Sequence, residues 1–327
     1  MWRLTGALAL ALAIALPVLT MSPLAASQSG TATGATAKPV ACDDVFAMQV
    51  LLDTHGFSPG EIDGTLGANT RGALAAFQNS RGLAASGTPD CATLDALGGP
   101  DATILTSHTI TAAEAQGPFV ADIPEDVAEQ KDLPALGYRS LVERLSERYH
   151  VSPAILTNLN PAAAFAAGET LTVPAVAAFD VDARPASEFT PEGARIEVTR
   201  DDSALRLVTA DGAVLLYAPV TIGSEHDPLP LGTWIARGFG WMPPFQYNPE
   251  LFWNADPSHA KATIAPGPNN PVGVVWIDIN VDHYGLHGTP EPSLVGHAAS
   301  HGCVRLTNWD AARVAALVSP GLPVVFR

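Results

Sequence analysis

The sequence predicts a multidomain chain: a small three-helix domain, a small α+β module, and a mainly β, sandwich-like domain with one C-terminal helix. Three observations predict it. The 327 residues exceed a single typical core, at roughly 100–200 residues per domain. Helical spacing of apolar residues dominates the first part, and from Arg195 the period changes to two. Apolar residues make up 47% and charged residues 15% of the chain, a balance that builds cores rather than disorder. The excess of 33 acidic over 17 basic side chains leaves no basic footprint for phosphates, so nucleic acid is not an expected partner.

Residues 1–26 read as a signal peptide, with Arg3 before an apolar run from Leu8 to Leu19 and small residues at Leu24-Ala25-Ala26. No later apolar run is long enough to span a bilayer, so no stable membrane span is expected after cleavage. Export to the periplasm or cell wall follows. Residues 27–41, rich in Ser, Thr, Gly and Ala, have nothing to bury and suit a flexible tether.

The three-helix domain is expected over residues 42–98. Val45, Met48 and Leu52 recur at helical spacing before Gly56; Asn69 opens a second pattern with Leu74 and Phe77; Thr88-Pro89 starts a third with Leu94 and Leu97. So small a core needs a staple, and Cys42 and Cys91 bracket the unit, which predicts a disulfide between them. Of three cysteines, that leaves one thiol.

Residues 99–135 carry Pro100, Gly117-Pro118, Pro124 and Pro134 and suit a linker. In residues 136–176, Ser140 and Glu143 form a capping-box pattern, Ser152-Pro153 starts a second short helix, and Gly168 to Pro174 reads as turn and strand. Strands follow at 196–198, 205–207, 214–222, 233–239, 272–279 and 323–326. Thr307 or Asn308 caps a helix with Val314, Leu317 and Val318 as its apolar stripe. The long stretch from Trp241 to Asn270 lacks periodicity, and a loop of that length suits a lid.

The remaining thiol, Cys303, lies in Ser300-His301-Gly302-Cys303-Val304-Arg305. A thiolate is the nucleophilic form, so an acyl-transfer cysteine needs a base or a nearby cation. His287, His297, His301 and Arg305 supply candidates. Gly302 would let the chain turn tightly and present backbone N–H groups to an oxyanion. A zinc site from His287, His297, His301 and Cys303 is disfavoured, since no His-Glu-x-x-His is present. No metal or other cofactor is expected. The other histidines, His55, His108, His150, His226, His259 and His283, have no partner in the sequence and are assigned to surface or turns.

His287-Gly288 followed sixteen residues later by Cys303 in Ser-His-Gly-Cys-x-Arg resembles the signature of the L,D-transpeptidases, the YkuD-type catalytic domain, over residues 194–327. Asp63-Gly64, Asn69-Thr70-Arg71 and Phe77-Gln78 in residues 42–98 resemble a peptidoglycan-binding three-helix domain. Residues 136–176 resemble a degenerate LysM module without its usual opening strand, Gly137 to Leu141 standing in its place. The resemblance implies Cys303 as nucleophile, His287 as general base, and the Gly288 carbonyl as the group orienting the imidazole. His301 and Gly302 would help form the oxyanion pocket, and Arg305 would hold substrate or brace the loop. Candidate substrate contacts are Trp276, Tyr284, Ser300 and Asn269. The implied partners are peptidoglycan stem peptides and glycan strands. The implied reaction is attack on the third residue of a tetrapeptide stem, release of D-Ala and formation of 3-3 cross-links. Trimming, protein attachment to the wall, or a non-catalytic wall-binding role are the alternatives.

Overall fold

The computed structural model describes residues 39–327; the expected signal peptide and residues 27–38 of the expected tether lie outside the described residues. The chain first forms α1 (Val45–Thr54), α2 (Ala68–Ser80) and α3 (Cys91–Ala96). Asp44 caps α1 by accepting from the Ala47 amide at 3.0 Å. The third helix starts later than Thr88-Pro89 suggested. Asp90 is its cap, because one carboxyl oxygen takes both the Thr93 amide (2.7 Å) and the Thr93 hydroxyl (2.8 Å). Cys42 and Cys91 are disulfide-bonded across 49 residues. Met48, Leu52, Leu74, Phe77 and Leu94 fill the interior, and Tyr217 from the neighbouring sheet completes it.

The expected linker, residues 99–135, is not one. It holds β1 (Leu105–Thr109), α4 (Ala112–Gln116) and a 3-10 turn at Glu129–Asp132. The complete capping box of the region is here, between Thr111 and Glu114. After it come α5 (Leu141–Arg148), α6 (Pro153–Leu159) and β2 (Thr170–Pro174). β1 and β2 pair antiparallel, Leu105 opposite Pro174 through Thr109 opposite Thr170. The strand that pairs with β2 therefore lies some thirty residues before Gly137. Prolines and acids made this stretch look like linker, yet Ile110 is buried with Leu145, Leu156, Leu171 and Val173. At Ser140 only half of the box forms: Ser140 caps Glu143, while the Glu143 carboxylate accepts from the Arg139 amide instead.

The remainder builds a sheet from β3 (Arg195–Thr199), β4 (Ala204–Val208), β5 (Val214–Pro219), β6 (Gly232–Trp241), β9 (Val275–Ile279), β10 (Gly285–His287), β11 (Val304–Arg305) and β12 (Pro323–Phe326). The order is β11-β10-β9-β6-β12-β3-β4-β5. β7 (Phe245–Tyr247) and β8 (Ala262–Ile264) form a separate two-stranded flap. α7 (Asn308–Leu317) is capped by Thr307 and buries Trp309 and Val314 against Ile277, Leu286 and Val304. The outer strand β5 is covered by the first module: Tyr217 N donates to Gly56 O, and Ser58 N to Tyr217 O, each at 2.9 Å.

All three parts meet at α7. Arg313 donates to both oxygens of Asp53 on α1, at 2.7 and 2.9 Å. His150, assigned to the surface from sequence, is buried beside them, with Nδ1 3.1 Å from Asp53 and its ring stacked on Trp309 at 5.1 Å. Burial opposes the Asp53 charge, but Arg313 with His150 more than reverses this and holds its carboxyl well below the usual carboxylate range. Among the described residues no helix is long and apolar enough to cross a membrane.

A carboxylate whose value is depressed on folding stabilises the fold above its unfolded value, about 3.9, and loses that contribution progressively as pH falls from there through the folded value. Asp53→Ala takes the carboxylate from His150 and from Arg313, which keeps Asp310 at 3.3 Å, and is expected to cost about 1–3 kcal/mol. Urea unfolding at pH 7 and pH 3 checks both points: the difference between wild type and Asp53→Ala should shrink at the lower pH.

Candidate active site

Two parallel strands bring the reactive side chains together. β10 and β11 pair with Leu286 opposite Val304 and His287 opposite Arg305. Side chains alternate across a sheet, so His287 and Arg305 share one face, and Cys303, two residues before Arg305, joins it. On β9, Trp276 lies opposite His287. The two rings stack at 5.5 Å between centroids. Trp276, Tyr284, His287, Cys303 and Arg305 all line one cavity of about 860 Å³.

His287 Nδ1 donates to the Gly288 carbonyl at 2.6 Å. A carbonyl only accepts, so the proton sits on Nδ1 and Nε2 keeps its lone pair. Burial, helped by the Arg305 charge and opposed by the Gly288 carbonyl, pushes His287 down to about 3. The imidazole is therefore neutral at physiological pH. The Cys303 thiol is directed at the His283 carbonyl oxygen, 3.6 Å away. Burial pushes this thiol up, and the Gly285 N–H and Arg305 counter it only in part. The resting state thus has a neutral thiol and a neutral imidazole rather than an ion pair.

The turn before Cys303 depends on glycine. Gly302 has φ +104°, and a Cβ there would sit 2.5 Å from Cε1 of Tyr284. Its N–H donates to Ser300 Oγ at 3.2 Å, and Ser300 Oγ donates to the Cys303 carbonyl at 2.6 Å. The Gly302 amide is therefore engaged in the turn, not free for an oxyanion. Ser300 is buried and braces this turn rather than lining the cavity. His301 lines the cavity, but its Nε2 bonds to Asn254 Oδ1 at 2.8 Å and its ring meets Phe252 edge-on. It ties the turn before Cys303 to the flap. Asn269 does not line the cavity either. It is buried, donates to Gly137 O (2.9 Å) and Glu143 (3.0 Å), and accepts from Arg139 (2.8 Å).

The residues expected as a lid form a braced flap. Phe245, Tyr247, Phe252 and Asn254 line the cavity, and Tyr247 and Ile264 pack with Leu136, Ile123, Val127 and Leu133. His259 bonds to Tyr247 (2.9 Å) and lies 3.2 Å from Asp126, so it too has partners that the sequence did not reveal.

Asn308, read from sequence only as a possible cap, packs beneath Gly288, whose carbonyl holds His287. Its Oδ1 accepts from Val274 N at 3.1 Å and lies so close beneath Gly288 that a Cβ there would come within 2.1 Å of it. Its Nδ2 donates to Glu147 (2.7 Å) and to Pro268 O (3.1 Å). Glu147 also accepts from Tyr138. Burial, against these hydrogen bonds, pushes Glu147 up to about 7. Glu147 is far from Asn308 in sequence, and no local pattern announces the pair.

Comparison with known proteins finds two family matches. Residues 193–326 match the YkuD family, the L,D-transpeptidase catalytic domain, and residues 43–97 match a family described as "Putative peptidoglycan binding domain". Two relatives named "Putative L,D-transpeptidase YkuD" are similar. That of Bacillus licheniformis is 29% identical over 130 residues, 40% of this chain and 63% of the relative. That of Bacillus subtilis is 40% identical over 57 residues, 17% of this chain and 35% of the relative. The match thus spans less than two thirds of either relative. Among solved structures, an L,D-transpeptidase from Mycobacterium smegmatis aligns with TM-score 0.34 and 22% identity, over 41% of this chain and 58% of that one. The chain carries a YkuD L,D-transpeptidase catalytic domain with a peptidoglycan-binding domain N-terminal to it.

Proposed function

We propose that the protein is a cysteine-dependent L,D-transpeptidase acting on peptidoglycan outside the cytoplasm. The observation that carries this reading is the His287 Nδ1–H held on the Gly288 carbonyl, which leaves Nε2 as a base on the sheet face it shares with Cys303. A disulfide between Cys42 and Cys91 fits an oxidising compartment, in keeping with export to the periplasm or cell wall.

In the proposed reaction, Cys303 Sγ attacks the carbonyl of the third residue of a tetrapeptide stem while its proton passes to His287 Nε2. The tetrahedral oxyanion is held by the Cys303 amide and Arg305, whose buried Nε has no hydrogen-bond partner among the described residues. Collapse forms the thioester, and D-Ala leaves with the proton from the imidazolium. A side-chain amine from the third residue of a neighbouring stem then attacks the thioester, gives its proton to Nε2 and restores the thiol, closing a 3-3 cross-link. Trp276 and Tyr284 flank the stem, and the aromatic flap limits water during the wait for the amine.

Incubating the protein with a disaccharide-tetrapeptide and weighing the products tests the assignment. A cross-linked dimer supports it, a tripeptide alone points to trimming, and no product sinks it. Cys303→Ala should show no thioester mass, and His287→Ala should slow its formation by about 10²–10⁴-fold. A neutral resting pair also sets a pH signature. Iodoacetamide alkylation of Cys303 should accelerate with rising pH beyond 8, whereas a thiolate–imidazolium pair would reach its plateau near neutrality.

A further inference from the structure

His287 takes its tautomer from one peptide carbonyl. Gly288 has no Cβ to restrict its backbone, and among the described residues its carbonyl accepts only from His287 Nδ1. The Gly288 N–H is tied to Val275 O at 3.2 Å. That bond holds one side of the residue and leaves the direction of the carbonyl to whatever packs on the other.

The group that packs there is the buried Asn308 carboxamide. It lies against two glycines, where a Cβ on Gly273 would come within 2.0 Å of Oδ1 and a Cβ on Gly288 within 2.1 Å. Hydrogen bonds set its orientation at both ends. Oδ1 accepts from Val274 N at 3.1 Å, while Nδ2 donates to Glu147 Oε1 at 2.7 Å and to Pro268 O at 3.1 Å. Glu147 supplies the shorter of the two Nδ2 contacts, and its other oxygen accepts from Tyr138. Glu147 and Tyr138 are buried, and both precede the catalytic domain. A buried donor stripped of its acceptor turns towards another, so the fit of the carboxamide on Gly288 depends on Glu147.

We propose that Glu147 is a positioning residue for His287: from α5 it fixes the Asn308 carboxamide, which packs on Gly288 and so fixes the carbonyl that keeps the proton on Nδ1. This role, which rests on the reading of His287 as the base, makes the part of the chain before the catalytic domain a contributor to its chemistry. With the carbonyl displaced, a neutral imidazole no longer favours Nδ1 protonation. The tautomer protonated on Nε2 offers Cys303 no lone pair there.

NMR of the full chain with nitrogen-labelled histidine, at neutral pH and without substrate, reads the tautomer directly, and His287→Gln assigns the signal. Wild type should carry the proton on Nδ1. Glu147→Ala should give a mixture with the Nε2-protonated form, and should lower kcat for the tetrapeptide stem by about 10–100-fold with KM little changed. Glu147→Gln keeps an acceptor for Asn308 and should retain the wild-type tautomer, while Tyr138→Phe should shift it less than Glu147→Ala does. A merely structural role would lower the unfolding midpoint without moving the tautomer. The proposal is overturned if wild type carries the proton on Nε2, if the Glu147→Ala tautomer matches wild type, or if Glu147→Gln shifts it as far as Glu147→Ala. Should Glu147→Ala fail to fold, Tyr138→Phe decides in its place, and an unmoved tautomer there overturns the role. Failure of the transpeptidase reading shows separately, as no product from wild type.

Discussion

The buried contact of Arg313 with Asp53 and His150 is the constraint on which the arrangement of the chain depends. Each partner comes from a different part of the sequence: α1, the turn just after α5, and α7. A charge taken out of water is tolerated only when its partner is held in place, so this cluster makes the relative placement of the three parts specific. The same helix supplies the neighbouring ties. Asp310 accepts from Ser58 at 2.7 Å, Trp309 stacks on His150, and Asn308 reaches Glu147. α7 is therefore both the core helix of the catalytic sheet and the dock for the modules that precede it.

That docking bears on the chemistry through Asn308. The carbonyl that orients His287 belongs to Gly288, whose missing side chain leaves room for the Asn308 amide. Glu147 and Tyr138, from the middle module, hold that amide from behind. His287 is thus backed by a stack, hydrogen-bonded from Tyr138 to Asn308 and packed against Gly288, that begins outside the catalytic domain. Around Cys303 the contacting groups are mostly backbone: the His283 carbonyl, the Gly285 N–H and the turn locked by Ser300. Backbone groups carry no sequence signature.

The stretch that looked like a linker has a comparable role. Ile123, Val127, Leu133 and Leu136 pack under the flap, and Leu136 exchanges backbone hydrogen bonds with Pro266 and Asn269 at 3.0 and 2.9 Å. Its apolar residues are spaced without a helical or strand period, because they meet an irregular surface. Periodicity reports only regular elements, so packing of this kind escapes it. A flap braced from below and tied to His301 through Asn254 is a wall with fixed footing.

What the sequence by itself determined was local and ordered: the helices of the first module, the change to period two at Arg195, the capped last helix, and the linear signature from His287 to Arg305. These depend on interactions within a few residues or on alternation along a strand, and both are written in residue order. Only the tertiary structure decided which of the named residues face the cavity. It kept Trp276 and Tyr284 there and turned Asn269 and Ser300 to bracing. It also gave His150 a buried carboxylate and brought Glu147 to Asn308. The physical reason is that desolvation and long-range hydrogen bonding belong to places in the fold, and a residue's burial is set by neighbours hundreds of positions away.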